Sequence, residues 1–182
     1  MRGVALMLYP HMASKRIQLK PAGRGDAAVA YDILFRSGFG PLPMLDNYLE
    51  NFGAGLWACF MVHGREDDNL LGFSTLSELK PAGHLRAEVH LRLGAPQDVR
   101  SEINALAVNF AFSMWRTRKV YFEVVDPTAA RIGFGRHTKA MHQEAVLPDY
   151  VFRHGKLQDV HVISYTREKW EAHGLDFIQQ IV

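Results

Sequence analysis

Glu88 and His90 stand two residues apart in the run Arg86-Ala87-Glu88-Val89-His90-Leu91. In an extended chain, residues two apart share a face, so this carboxylate and imidazole would sit side by side. Such a pair can move a proton between an amine and water near neutral pH. The alternative is a solvated sheet face that the pair shares with Arg86 and Arg92. His137, Tyr150 and Tyr165 are further groups able to give up a proton, although Tyr165 falls in a stretch suited to packing. His137 and His142 are five apart, and no carboxylate–histidine spacing matches a metal site, so no metal is expected. No Gly-x-Ser-x-Gly run and no Cys–His pairing marks a nucleophile. The one cysteine, Cys59, lies in an apolar run and reads as a small buried hydrophobe.

The elements that would position these groups are legible from periodicity and breakers. Residues 15–20 form a short strand ended by Pro21-Ala22-Gly23. Asp26 can cap a helix running to about Ser37, and Leu45, Tyr48, Leu49 and Phe52 mark a second helix. Residues 56–63, 70–79 and 84–93 read as three antiparallel strands joined by hairpin-length turns. Residues 97–115 are the clearest helix, with Val99, Ile103, Leu106, Ala107, Phe110 and Met114 on one face. A strand at 119–126 follows, then a helix opened by Pro127 and reaching about His137. Residues 144–152 and 157–166 pair around His154-Gly155, and the tail is helical from Glu168.

Size and charge bound the reading. The 182 residues suit one α/β domain with a proper core. A formal net charge of +2 gives no electrostatic footprint for nucleic acid. No window approaches the roughly 18–20 apolar residues of a membrane span. A single cysteine excludes an intrachain disulfide and fits the reducing cytoplasm. Residues 1–12 read as a loose extension ahead of one domain over 13–182, with Met12-Ala13-Ser14 a second plausible start.

This order resembles the GNAT superfamily of acyl-CoA-dependent N-acyltransferases. The likeness is strongest in the run from Val146 to Val160, with Arg153-His154-Gly155-Lys156 and Asp159-Val160 at its end, and in Arg167-Glu168-Lys169-Trp170. Both look like the closing hairpin and ending of the branch that acetylates ribosomal-protein N-termini and related amines. The resemblance implies a twisted, mostly antiparallel sheet, splayed between its fourth and fifth strands and flanked by helices. It also implies acetyl-CoA or another acyl-CoA as donor and a primary amine of a small molecule or peptide as acceptor. Glu88 becomes the general base, and a main-chain amide at Leu91 or Leu93 polarises the thioester carbonyl. Such domains are often dimers, so a homodimer through the closing hairpin is compatible with it.

The resemblance breaks at two motifs. The family's phosphate loop carries glycines that let the backbone approach a pyrophosphate. The matching run here is Gly94-Ala95-Pro96-Gln97-Asp98-Val99-Arg100-Ser101. Pro96 removes an amide donor, and Asp98 brings a negative charge where a phosphate would sit. Either Asp98 caps the helix and fills the pocket, or Arg100 and Ser101 replace the lost donors beside Val99. The family's tyrosine that protonates the departing thiolate aligns with Arg136, and its asparagine falls at Ala129 or a neighbour. Arg116, Arg118 and Lys119 form a basic turn that is either a solvated helix end or a contact for the CoA 3′-phosphate. Three functions follow: an acyl-CoA N-acyltransferase, a catalytically degenerate binding or regulatory protein on the same scaffold, and a transferase with a non-CoA donor.

Overall fold

The computed structural model describes residues 8–38, 40–128, 134, 139–153 and 155–182. The order is β1 (Ile17–Pro21), a 3-10 turn (Arg24–Asp26), α1 (Ala27–Arg36), α2 (Leu45–Glu50), β2 (Leu56–Gly64), β3 (Leu70–Ser77) and β4 (His84–Leu91). A second 3-10 turn (Gln97–Val99) opens α3 (Arg100–Met114), and β5 (Lys119–Val124) follows. The hairpin β6 (His142–Arg153) and β7 (Lys156–Thr166) leads into α4 (Arg167–Lys169), a π-helical turn (Trp170–Gly174) and α5 (Leu175–Ile181). The helix expected over 127–137, with its candidates Arg136 and His137, lies outside the described residues apart from Pro127, Thr128 and Phe134, as does the Ala129 position.

One seven-stranded sheet, in the order β1-β2-β3-β4-β5-β7-β6, organises the chain. All neighbours are antiparallel except β4 and β5, which are parallel. Alternation along the strands divides the core into two layers. Phe60, Val62, Leu76, Leu85, Ala87 and Leu91 face α3 and the C-terminal helices. Met61 and Phe73 face the other way, toward Ala30, Ile33 and Leu34 of α1, with Tyr48 and Phe52 packed alongside.

α3 is buried on more than its apolar face: Glu102, Asn104 and Asn109 are buried with it. Each polar group needs a partner there. Glu102 accepts from Ser14 and from Arg16 Nε (2.6 Å), and Asn109 Nδ2 donates to the Tyr9 carbonyl (2.6 Å). Leu8 and Met12 pack against the same core. At the other end of α3, Arg167 donates to the carbonyls of Phe112, Trp115 and Thr117 (2.8–2.9 Å). These satisfy carbonyls that a helix C-terminus and the turn after it would leave bare.

Asp26 opens α1, but its carboxylate accepts from the Gly23 amide (2.7 Å) in place of a helix amide. Tyr165, weighed above as an acid, is fully buried between Val120 and Trp170, and burial pushes its hydroxyl up to about 12. It is a packing residue. Cys59 packs at the edge of the α1 layer, and burial pushes its thiol up to about 11.

Candidate active site

β4 and β5 pair only from His84 to Arg86 against Lys119 to Tyr121. β4 then runs on to Leu91 and β5 to Val124 without pairing to each other. The strands therefore part, leaving main-chain groups of β4 beyond Arg86 without a β5 ladder. Arg100, the first residue of α3, reaches back to this stretch and donates from Nη1 to the Val89 carbonyl (3.0 Å). Ser101 Oγ turns instead to the Asp98 carbonyl (2.9 Å).

Glu88 and His90 lie on the β4 face that looks toward α1 and α2, opposite Leu85, Ala87 and Leu91. This face is covered, contrary to the solvated alternative: the Glu88 side chain is 25% exposed and that of His90 11%. Arg86 holds Glu88 Oε1 at 2.7 Å and also reaches Glu123 (3.1 Å) and Glu78 (3.4 Å). Glu88 Oε2 lies 4.0 Å from His90 Nε2. The His90 ring rests on Phe73, its cross-strand partner, with centroids 4.8 Å apart.

The approach is tight because residue 72 is glycine. A Cβ on Gly72 would stand 2.2 Å from the His90 carbonyl oxygen and 2.9 Å from Leu91 Cα, both main-chain atoms unable to yield cheaply. Gly72 thus fixes how closely β3 and β4 approach behind the pair.

Glu88, His90, Phe73 and Thr75 form the floor of a cavity of about 350 Å³. Leu34 of α1, and Asn47, Tyr48, Asn51 and Phe52 of α2 and its C-terminal turn, wall it. Burial, followed by the nearby charges of Arg100, Arg153 and Arg86, pushes the His90 imidazole down to about 3. The ring is neutral throughout the neutral range and does not titrate there. Arg153, in the hairpin run that carried the family resemblance, thereby joins the site's surroundings; the motif flagged the residue but not its place.

This depression links stability to acidity. The folded ring resists a proton that the unfolded ring accepts below about pH 6.5, so the unfolded state binds more protons in the window between. His90 therefore contributes stability fully above about pH 6.5, and that contribution falls as pH drops toward 3, by up to about 1.4 kcal/mol per pH unit. Urea unfolding between pH 7 and 4 is expected to show this slope in the wild type and a flatter one in His90→Phe. Equal slopes would rule His90 out as its source.

The turn after β4 differs from expectation. The strand stops at Leu91, not at 93: Arg92 N donates to Leu71 O (2.9 Å), Ala95 N to Arg92 O (3.0 Å), and Gly94 turns at φ +86. Leu93 is left 84% exposed outside the strand, so the amide at Leu91 belongs to β4 and that at Leu93 does not. The Asp98 carboxylate makes no capping bond to α3; it pairs with Arg16. Hydrogen bonding to Arg16 holds it below the usual carboxylate range, with lesser help from the amides of Asp98 and Val99. Val99 turns its side chain into the core.

Arg116, Arg118 and Lys119 sit at the far end of α3, about 22 Å from this turn at 1.5 Å per residue. There Gly83 O accepts from the amides of Arg118 and Lys119, at the closed end of the β4–β5 pair. They lie at that junction, at the opposite end of α3 from the Gly94–Val99 turn. Tyr150 is 61% exposed on β6. Among the described residues no group of three or more His, Cys, Asp or Glu is placed to hold a metal, and no helix is long and apolar enough to cross a membrane.

No protein-family model matches the chain, and no curated protein matches it. Solved structures do. A variant of the spermidine N-acetyltransferase SpeG from Vibrio cholerae superposes with a TM-score of 0.71 at 16% identity, covering 85% of this chain and 95% of that one. A dodecameric form of the Vibrio cholerae enzyme gives 0.69 at 18% identity, with the same coverage. A probable GNAT-family acetyltransferase from Chromobacterium violaceum gives 0.65 at 16% identity, covering 89% and 88%. With the parted parallel strands, these likenesses establish that the chain has the GNAT fold.

Proposed function

We propose that this GNAT-fold chain is an acyltransferase that moves an acyl group from acyl-CoA to a primary amine. The observation that carries the reading is the juxtaposition of two features: the parting of β4 and β5 beyond Arg86, and a half-buried carboxylate two residues further along β4. The parted edge can hold an extended pantetheine arm as an added strand would be held, through main-chain groups near Val89 and Leu91. The Leu91 amide is the donor for the thioester carbonyl.

The residues at the turn fit the nucleotide end through charge instead of a glycine cradle. Pro96 offers no amide and the Arg100 amide already donates to the Gln97 carbonyl, so the charge offered at this turn is that of the Arg100 guanidinium. The pairing of Asp98 with Arg16 offsets the carboxylate's charge. When bound, acyl-CoA supplies the activated acyl group. Glu88 takes the ammonium proton of the incoming amine at Oε2, while Arg86 fixes the carboxylate through Oε1. His90, neutral and packed on Phe73, lies 4.0 Å from the same oxygen and does not compete for the proton. The proton returned to the thiolate comes from His137, Tyr150 or water; His137 lies outside the described residues.

The acyl donor is acetyl-CoA or a related thioester, and the setting is the cytoplasm. A homodimer through the closing hairpin is part of the reading, supported by exposed Val146, Tyr150, Phe152 and Leu157 there. The reading is tested by release of free CoA thiol that depends on an added primary amine; release that ignores the amine would count against it. Removing the charge at the turn gives a second check. Asp98→Asn is expected to tighten acetyl-CoA binding about fivefold, the scale of one charge at a helix N-terminus. Weaker binding in the variant would mean that the Asp98–Arg16 pair builds the site instead of taxing it.

A further inference from the structure

The cavity above Glu88 has a composition that selects among amines. Its walls are mostly apolar, with Leu34, Tyr48 and Phe52 beside Asn47 and Asn51, and among the described residues its only charged lining residue is Glu88. One oxygen of that carboxylate is already committed to Arg86 at 2.7 Å. Arg86, Arg100 and Arg153 all lie close enough to act on His90 at the floor. A polyamine carries several positive charges and needs a carboxylate for each that it buries. Among the described residues this cavity's lining offers one.

A second observation points to a polar ligand atom at the floor. Thr75 is 6% exposed, lines the cavity, and its Oγ1 has no hydrogen-bond partner among the described residues. It is the cross-strand partner of Glu88. A buried hydroxyl without a partner is costly, and a ligand nitrogen held between Thr75 and Glu88 would relieve it. Apolar walls with a small convergent polar floor are the usual makeup of a small-molecule site.

We propose that this cavity binds a primary monoamine with an apolar or aromatic body, its nitrogen between Glu88 and Thr75, and discriminates against polyamines. The assignment rests on the acyl-transfer reading for its chemistry, but binding alone tests it. Calorimetric titration of the full chain with 2-phenylethylamine and with spermidine, without acyl-CoA, is expected to show saturable binding of 2-phenylethylamine at least about tenfold tighter, a difference readily resolved in dissociation constants. Spermidine binding as tightly or tighter, or no saturable binding of 2-phenylethylamine at millimolar concentration, would overturn it.

Thr75→Val supplies the second arm. Loss of the unpaired hydroxyl should leave the unfolding midpoint unchanged or raised, while 2-phenylethylamine binds about fivefold more weakly for want of one hydrogen bond. Unchanged affinity would overturn the placement of the nitrogen. A parallel titration with acetyl-CoA separates the two claims. Amine binding without acetyl-CoA binding removes the acyl-transfer reading and leaves the cavity assignment standing. Acetyl-CoA binding without the amine preference removes only the cavity assignment.

Discussion

Glu88→Gln is expected to lower turnover by about a hundredfold to ten-thousandfold, the range that a positioned general base contributes. The substitution keeps the side chain's size and can still accept from Arg86, so the ion-pair cluster with Glu78 and Glu123 persists around it. What is lost is the basic oxygen 4.0 Å from His90, at the cavity floor. The deficit should fall on kcat, with acetyl-CoA affinity unchanged, because the parted edge of β4 is main chain and the turn at Asp98 lies beyond it. Steady-state kinetics with a saturating amine, paired with a titration of the variant by acetyl-CoA, makes the comparison. Turnover within about tenfold of wild type would remove Glu88 as the base, since that is less than general bases ordinarily supply.

Trp170→Ala carries the largest expected cost in stability. Trp170 is fully buried, with ring centroids 5.1 Å from Tyr165, 6.2 Å from Phe134 and 6.4 Å from Phe112. Its Nε1 donates to Asn109 Oδ1 (3.3 Å), and Asn109 in turn ties down the Tyr9 carbonyl. The π-helical turn that seats it depends on Gly174, where a Cβ would overlap the indole at 2.2 Å. Truncation leaves a large void and orphans a buried amide oxygen, a combination worth about 3–5 kcal/mol. Trp170→Phe, which mostly refills the space and loses the hydrogen bond, should cost about 1–2 kcal/mol. Denaturant unfolding of the three proteins reads both values. An alanine variant within about 1 kcal/mol of wild type would mean that the C-terminal helices are dispensable to the core, contrary to their packing.

Local pattern carried the strands and the pairing of candidates on β4. Leu85, Ala87 and Leu91 alternate with Arg86, Glu88 and His90 in the residue string itself, and the structure sends the two sets to opposite faces. The helix at Leu45, Tyr48 and Phe52 was likewise visible as a spacing. That it roofs Glu88 and His90 was not, because the crossing of α2 over the sheet is a matter of tertiary packing. The solvated face considered for the pair fails for that reason.

Long-range partners were invisible for the same cause. Asp98 departs visibly from the family's glycine-bearing loop, but Arg16, which holds it, lies 82 residues earlier. A local rule for helix capping offers α3 as one of two partners for the carboxylate and cannot reach Arg16. Arg100 was read as a compensating donor for phosphate, and its bond to the Val89 carbonyl follows only from how the start of α3 sits over the parted strand. Thr75 drew no notice in the sequence, since an unpaired hydroxyl is defined by what surrounds it. The strand expected over 84–93 stops at Leu91, because the positive φ of Gly94 and the Ala95–Arg92 turn end it two residues earlier.

The measurement that bears most directly on acyl transfer is calorimetric titration of the wild-type chain with acetyl-CoA. The account predicts saturable binding at micromolar concentration, with the parted β4–β5 edge taking the arm and the Arg100 guanidinium taking the diphosphate. No binding up to millimolar concentration would contradict it. The Arg16–Asp98 pair would then close the diphosphate position, and the donor would have to be something other than a CoA thioester.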